Sequence, residues 1–188
     1  MEKYKRRPRL KHFDYTGCHR YFITICTHNK IPVFIIEEIA KRYISLLAEK
    51  AMLLHFKVWA YCFMPDHVHF LAEGMAQDAD LKKFVSSFKQ SAGYHFCTFI
   101  KTKELSLQDR AKSLNDGNKD DSGNVAQGFS PAGKAKLWQP SFYDHVLRKN
   151  EDLLETVKYI FNNPVRKKIV KHYQDYPLSG SFELDGKL

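Results

Sequence analysis

The sequence predicts an α+β fold, a ferredoxin-like or RRM-like antiparallel sheet with helices packed on one face and a further helix near the C-terminus. Segments rich in β-branched and aromatic residues alternate with segments of helical period. Their order along the chain is β-α-β-β-α-β-α, which is typical of that fold class once the last helix is set aside. With 188 residues, of which 44% are hydrophobic, the chain is long enough for one domain with a real core.

Each predicted element follows from the spacing of its apolar residues. Residues 54–63 are apolar on both alternating faces apart from Lys57, which is typical of a central strand. The Met-Pro-Asp sequence that follows suits a tight turn into a hairpin partner. In the second helix, Leu81, Phe84 and Phe88 recur on one face. The predicted strands cover residues 21–27, 54–63, 67–73 and 138–148, and the predicted helices cover residues 37–51, 79–101 and 150–163.

The remaining segments flank or interrupt a single domain that spans residues 21–172. Residues 1–20 form a basic N-terminal arm, which is either a disordered tail or an arm that contacts phosphates. Residues 106–136 are rich in Gly, Ser, Asn and Asp, so we expect a long mobile insertion there. Strand-like sequence resumes after it, so the insertion is no domain boundary. Residues 173–188 are expected to form a C-terminal tail.

The charge of the chain favours nucleic acid as its partner. The net charge is +9 and the pI is about 9.3, a balance that suits neutralisation of phosphates. The positive charge is spread along the chain and no long apolar run occurs, so neither a membrane surface nor a transmembrane helix is expected. The N-terminus lacks an apolar signal region and the four cysteines lack CxxC spacing. We therefore expect reduced thiols in a cytoplasmic, nucleoid-associated protein.

Two histidines lie close together in the stretch MPDHVHFL, residues 64–71. Strand side chains alternate between faces, so His67 and His69 share a face with their roots roughly 6–7 Å apart. Either each imidazole finds its own hydrogen bond or both bind one divalent cation. Asp66 either completes the turn or orients a histidine. Two ligands alone do not make a catalytic metal site, which needs a third protein group and an open position.

The last predicted helix carries polar side chains that could complete such a site. At about 100° per residue, Tyr159 falls near 240° and Asn163 near 280°, one turn apart on a shared face. Both lie off the apolar arc, which contains Leu153, Leu154, Val157, Ile160 and Phe161. Tyr159 is therefore either an ordinary surface tyrosine or a phenol nucleophile aimed at the histidines, with Asn163 as an oxygen ligand.

Several stretches together resemble a known family. His67-Val68-His69 followed by a helical tyrosine is the pattern of the HUH endonucleases, named for His-hydrophobic-His. More narrowly, the chain is similar to the IS200-like single-tyrosine transposases, and among them to the REP-associated tyrosine transposases. The stretches that carry the resemblance are YFITICTHNK, VWAYCFMPDHVHFLAEG, LKKFVSSFKQSAGYHF, LWQPSFYDHVLRKNEDL and YIFNNPVRKKIV.

The resemblance implies a metal-dependent single-stranded DNA endonuclease and strand transferase, that is, a transposase. It would act at REP-like DNA hairpins through a 5′-phosphotyrosine intermediate. It further implies Tyr159 on a catalytic C-terminal helix as the nucleophile, and His67, His69 and Asn163 as metal ligands. This donor set suits Mn²⁺ and, more loosely, Mg²⁺.

Other expectations stay open beside this one. A non-catalytic module that binds single-stranded nucleic acid could have the same fold, and a Zn²⁺ hydrolase could use the histidine pair without Tyr159. Either a monomer or a homodimer is expected. The basic side chains that suit DNA phosphates are Arg6, Arg7, Arg148, Arg166, Lys167 and Lys168.

Overall fold

A sheet of five antiparallel strands forms the centre of the fold. The computed structural model describes residues 13–114, 136–148 and 151–184. The strands are β1 (Arg20–Cys26), β2 (Phe56–Met64), β3 (His67–Gly74), β4 (Tyr143–Val146) and β5 (Ser179–Gly180), and the helices are α1 (Glu37–Leu53), α2 (Leu81–Leu114), α3 (Leu153–Phe161) and α4 (Asn163–Arg166). The strand order is β4-β1-β3-β2-β5. This arrangement confirms the predicted fold class.

Different helices cover the two faces of the sheet. On one face, the ring of Phe70 packs edge-on against Phe84 of α2, with centroids 5.9 Å apart. Helix α1 packs beside α2 on that side, where the Tyr43 hydroxyl donates to the carbonyl of Ala92 at 2.8 Å. On the other face, α3 lies against β2 and β3. That second face also carries both histidines of β3, because side chains of a strand alternate.

Helix α3 is fixed by its cap and by its apolar stripe. The Asp152 carboxylate caps the helix by accepting a hydrogen bond from the backbone nitrogen of Leu154 at 2.7 Å. The predicted start at Asn150 lies outside the described residues. Val157, Ile160 and Phe161 are buried against the sheet. Leu154, expected on the apolar arc, is instead 43% exposed, because it lies in the first turn beyond the buried stripe.

The last predicted helix is divided into two. Helix α3 ends at Phe161, with Asn162 as its C-cap, and α4 begins at Asn163 with Pro164 in its first turn. Proline has no backbone N–H to donate, so it is tolerated only in the first turn of a helix and α3 cannot continue through it. Tyr159 and Asn163 consequently lie in consecutive helices, on either side of a one-residue junction.

Three segments that were expected to flank or interrupt the domain are in part ordered elements of its fold. Helix α2 runs to Leu114, inside the segment expected as an insertion, because the residues after 101 are mostly strong helix formers without Gly or Pro. Residues 13–20, expected to belong to the arm, are docked through a hydrogen bond from the nitrogen of Gly17 to the carbonyl of Ala79. Residues 173–184, expected as tail, include β5, and the buried Tyr176 hydroxyl donates to the carbonyl of Phe63.

Some expectations fall on residues that the structure does not describe. They concern the DNA contacts of Arg6 and Arg7 and the greater part of the insertion, residues 115–135. Within the described ranges, no helix is long and apolar enough to span a membrane. Among the described residues, Cys18, Cys26, Cys62 and Cys97 form no disulfide bond.

Candidate active site

The two histidines of β3 turn toward one another on the face that α3 covers. Their Nε2 atoms are 3.0 Å apart. The Nδ1 atom of each ring has its own partner: Asp66 Oδ1 lies 2.6 Å from Nδ1 of His67, and Thr24 Oγ1 lies 2.7 Å from Nδ1 of His69. The sequence left open whether each imidazole has a hydrogen bond or both share a cation. The structure gives each ring an anchor at Nδ1 and still brings the two Nε2 atoms together.

The two imidazoles of the pair have different surroundings. The Asp66 carboxylate accepts a hydrogen bond from the Nδ1–H of His67. The pKa of His69 is lowered to about 3, first by burial and then by the nearby charges of His67 and Arg166, against the opposing effect of Asp66. A neutral imidazole is the form that binds a metal ion.

The distance between the two Nε2 atoms fits a shared divalent cation. Two ligands placed about 2.1 Å from one ion, at a right angle, lie about 3.0 Å apart. Within the described ranges, no group of three or more His, Cys, Asp or Glu side chains could hold a metal ion. A third protein ligand would therefore come from another residue type, such as an amide.

Asn163 is the amide that the sequence predicts as third ligand. Its side chain is buried, and its Nδ2 donates to the carbonyls of Tyr159 at 2.9 Å and Ile160 at 3.4 Å. These two acceptors fix the orientation of the amide and leave Oδ1 for another partner. Among the described residues, the Asn163 side chain forms no hydrogen bond with the ring of His67 or His69. Its role as a ligand stays a prediction.

A row of four side chains joins Tyr159 to the histidine pair. The guanidinium carbon of Arg166 lies 4.5 Å from the centroid of the Tyr159 ring. That ring meets Phe22 edge-to-face with centroids 5.8 Å apart, and Phe22 stacks on His69 at 5.4 Å. We call Arg166, Tyr159, Phe22 and His69 the stacked row. Tyr159 remains 44% exposed, so the helix presents it to solvent beside the pair, as its position off the apolar arc predicts.

Two cavities flank the stacked row. One, of about 380 Å³, is lined by both histidines together with Lys30 and Lys167. The other, of about 410 Å³, lies on the side of Tyr159 and Phe22 toward β4. His145 lines this second cavity and lies 2.9 Å from a carboxylate oxygen of Glu151.

The basic residues predicted to contact DNA occupy different positions. Arg166 lies over Tyr159, and Lys167 lines the cavity beside the histidines. Lys168 and Arg148 are exposed and line neither of the two cavities. Their contact with DNA stays a prediction.

Sequence reasoning missed Thr24, Phe22 and Lys30. All three belong to β1 or to the turn that follows it. The pairing of Thr24 with His69 and of Cys26 with His67 places the end of β1 next to the start of β3. The predicted fold class implies that the first and third strands pair in antiparallel fashion. That pairing could have predicted that these residues lie near the histidines.

Comparison with known proteins identifies the family. Residues 16–110, half of the chain, match the family model described as transposase IS200-like. The chain belongs to the IS200-like transposase family, and the enzyme class expected from the sequence is confirmed. The matched segment contains both histidines, whereas Tyr159 and Asn163 lie beyond its end.

The relatives include REP-associated tyrosine transposases. A protein of Haemophilus influenzae that carries this name provisionally is 25% identical over 174 residues, which is 93% of this chain and 85% of the relative. A REP-associated tyrosine transposase of Escherichia coli K12 is 40% identical over 47 residues, 25% of this chain and 28% of its own. A solved structure of a REP-associated tyrosine transposase bound to a REP hairpin matches with a TM-score of 0.61 and 19% identity, over 90% of this chain and 81% of that one. At that identity, the structural match supports the fold alone.

Proposed function

We propose that this transposase cuts single-stranded DNA beside a REP-like hairpin and holds the cut end as a 5′-phosphotyrosine on Tyr159. The observation that carries the proposal is the stacked row, which brings a half-exposed phenol beside two converging imidazoles. The names of the relatives, one of them solved with a REP hairpin, support the class of substrate.

The reaction is an exchange of one phosphoester for another. The phenolic oxygen of Tyr159 attacks the phosphorus, and the bond from phosphorus to the 3′ oxygen breaks. The phenol loses its proton to solvent, and the leaving oxygen takes one up to become a free 3′-OH. The 5′-phosphate stays on the tyrosine until the 3′-OH of another strand attacks it, which rejoins DNA and releases the phenol.

The surrounding side chains suit this chemistry. A phenol with the reference pKa of about 10 is only about 0.1% ionised at pH 7, so positive charge near the phosphate is needed. A Mg²⁺ or Mn²⁺ ion bound by His67, His69 and Asn163 would polarise a non-bridging oxygen of the phosphate. Lys30 and Lys167 line the adjoining cavity and would contact phosphates of the strand.

A single chain supplies the whole stacked row, which supports a site that one monomer can complete. The histidines come from β3, Phe22 from β1 and Tyr159 from α3 of the same chain. A homodimer that exchanges α3 between its subunits is the alternative. Mixing a His67→Ala variant with a Tyr159→Phe variant separates the two, because only shared sites would regain activity.

The test follows the two ends of a cut strand. The protein is incubated with a pool of single-stranded hairpin oligonucleotides with randomised flanks, in Mn²⁺, in Mg²⁺ or in EDTA. We expect 3′-labelled DNA to become covalently attached to the protein, and 5′-labelled DNA to be released with a 3′-OH. EDTA should prevent both, and the captured DNA can be sequenced to give the cleavage site.

Tyr159→Phe should abolish the covalent adduct, because it removes the attacking oxygen and keeps the ring. Tyr94→Phe is the matched control, since Tyr94 is 73% exposed on α2, far from the histidine face. A wild-type protein that binds the hairpins without cutting them would be a binding module. Cleavage by Tyr159→Phe at the wild-type rate would favour a metal-dependent hydrolase instead.

A further inference from the structure

We propose that Arg166 is a positioning residue for the nucleophile: its guanidinium holds the ring of Tyr159 in the stacked row. This inference rests on the proposed function. The sequence placed Arg166 among residues that bind phosphates, which would make it a determinant of DNA affinity. In the structure its guanidinium lies over the tyrosine ring, 4.5 Å from the centroid.

The ring of Tyr159 is held from two directions. Phe22 meets it edge-to-face, at 5.8 Å and an interplanar angle of 86°, and Arg166 lies over it. Tyr159 is nevertheless 44% exposed. An exposed tyrosine would otherwise exchange among its staggered rotamers. Contacts on both sides favour one rotamer and so one direction for the phenolic oxygen.

The fold brings Arg166 to this place through the junction between α3 and α4. Asn162 keeps helical angles, with φ −81° and ψ −2°, and accepts a hydrogen bond from the nitrogen of Arg166 at 2.9 Å. At about 100° per residue, the seven steps from residue 159 to residue 166 add up to about 700°, so the two residues lie on one side of the chain although α3 itself ends at the junction. A long side chain that leans toward the helix N-terminus then reaches back over the ring.

A planar guanidinium is suited to this contact. It stacks on an aromatic face over its whole plane, whereas a lysine ammonium is a compact, strongly hydrated point charge. Arg166 also lies within electrostatic reach of His69, at the other end of the stacked row. The same residue can therefore hold the phenol and keep positive charge near the scissile phosphate. Misplacement of a reacting group by about 1 Å can cost on the order of 100-fold in rate.

The test distinguishes an effect on the rate of adduct formation from an effect on the affinity for DNA. Adduct formation is measured in single turnovers at saturating DNA, and DNA affinity is measured separately by titration. Arg166→Gln should slow adduct formation on the order of 10- to 100-fold even when DNA is saturating. Arg166→Lys should bind DNA as tightly as wild type and still form the adduct more slowly. Lys171→Gln is the control for loss of one positive charge, at an exposed position outside both cavities.

A second readout reports on the ring itself. With ¹³C-labelled tyrosine, the ring signals of Tyr159, assigned by their loss in Tyr159→Phe, should shift in Arg166→Gln and remain unchanged in Lys171→Gln. Unchanged ring signals in Arg166→Gln would overturn the inference, whether or not the protein cuts DNA. So would adduct formation by Arg166→Gln at the wild-type rate. If the wild type forms no adduct at all, it is the proposed function that fails.

Discussion

At the scale of single residues, we infer that Thr24 determines which ring nitrogen of His69 carries the lone pair. Its hydroxyl can accept a hydrogen bond from the Nδ1–H of His69, which leaves Nε2 free for a metal ion. We predict that Thr24→Val weakens Mn²⁺ binding by roughly 10- to 100-fold, because valine keeps the shape but leaves that N–H without a partner. The loss of the free Mn²⁺ signal in electron paramagnetic resonance measures the affinity directly.

Thr98→Val is the matched control for this prediction. Thr98 is exposed on α2, on the opposite side of the sheet, and its hydroxyl donates to the carbonyl of Tyr94. Its replacement should leave Mn²⁺ binding unchanged. If Thr24→Val binds Mn²⁺ as tightly as the wild type does, the hydroxyl does not orient the histidine.

The histidine pair could be predicted from the sequence and its partners could not. Alternation along a strand is local, so it places His67 and His69 on one face without further information. Thr24 and Phe22 reach the pair through the register between β1 and β3, which joins residues far apart in the chain. A one-residue change of register would turn both side chains to the opposite face.

At the scale of secondary-structure elements, the end of β3 depends on a close approach that only glycine permits. A Cβ atom on Gly74 would overlap the carbonyl oxygen of Gly17, in the segment that leads into β1. We predict that Gly74→Ala destabilises the protein by about 1–3 kcal/mol, because backbone has to move to admit the methyl group. Urea unfolding measures the free-energy difference.

Gly93→Ala is the same substitution in a different setting. Gly93 lies within α2, and a Cβ atom there would have no neighbour within 4 Å. Alanine should stabilise the helix by about 0.5–1 kcal/mol. A Gly74→Ala variant at least as stable as the wild type would show that residues 13–19 do not depend on docking against β3.

Local patterns predict the interiors of the elements better than their ends. The apolar stripe of α2 is buried at the predicted positions, Leu81, Phe84 and Phe88 among them. The segment from 173 onward has no period of its own, and its two-residue strand β5 exists because it pairs with β2. Such an element is determined by the edge of the sheet that it covers, which a sequence window does not contain.

At the scale of the whole molecule, buried tyrosines limit stability at high pH. Burial raises the pKa of Tyr21, Tyr43 and Tyr176 above the ordinary value of 10.0. Between pH 10 and those raised pKa values, the unfolded chain has lost protons that the folded chain retains. The free energy of unfolding therefore falls as pH rises above about 10, by up to about 1.4 kcal/mol per pH unit for each group.

Replacement of one of these tyrosines should reduce that pH dependence. Tyr43→Phe removes the hydrogen bond to the Ala92 carbonyl, so we predict a loss of about 1 kcal/mol at pH 7. Because phenylalanine does not ionise, the further loss between pH 9 and 11 should be smaller than in the wild type. Urea unfolding across that range measures both effects, with the exposed Tyr94→Phe as control. A wild-type pH dependence in Tyr43→Phe would mean that Tyr43 ionises as readily in the folded protein as in the unfolded chain.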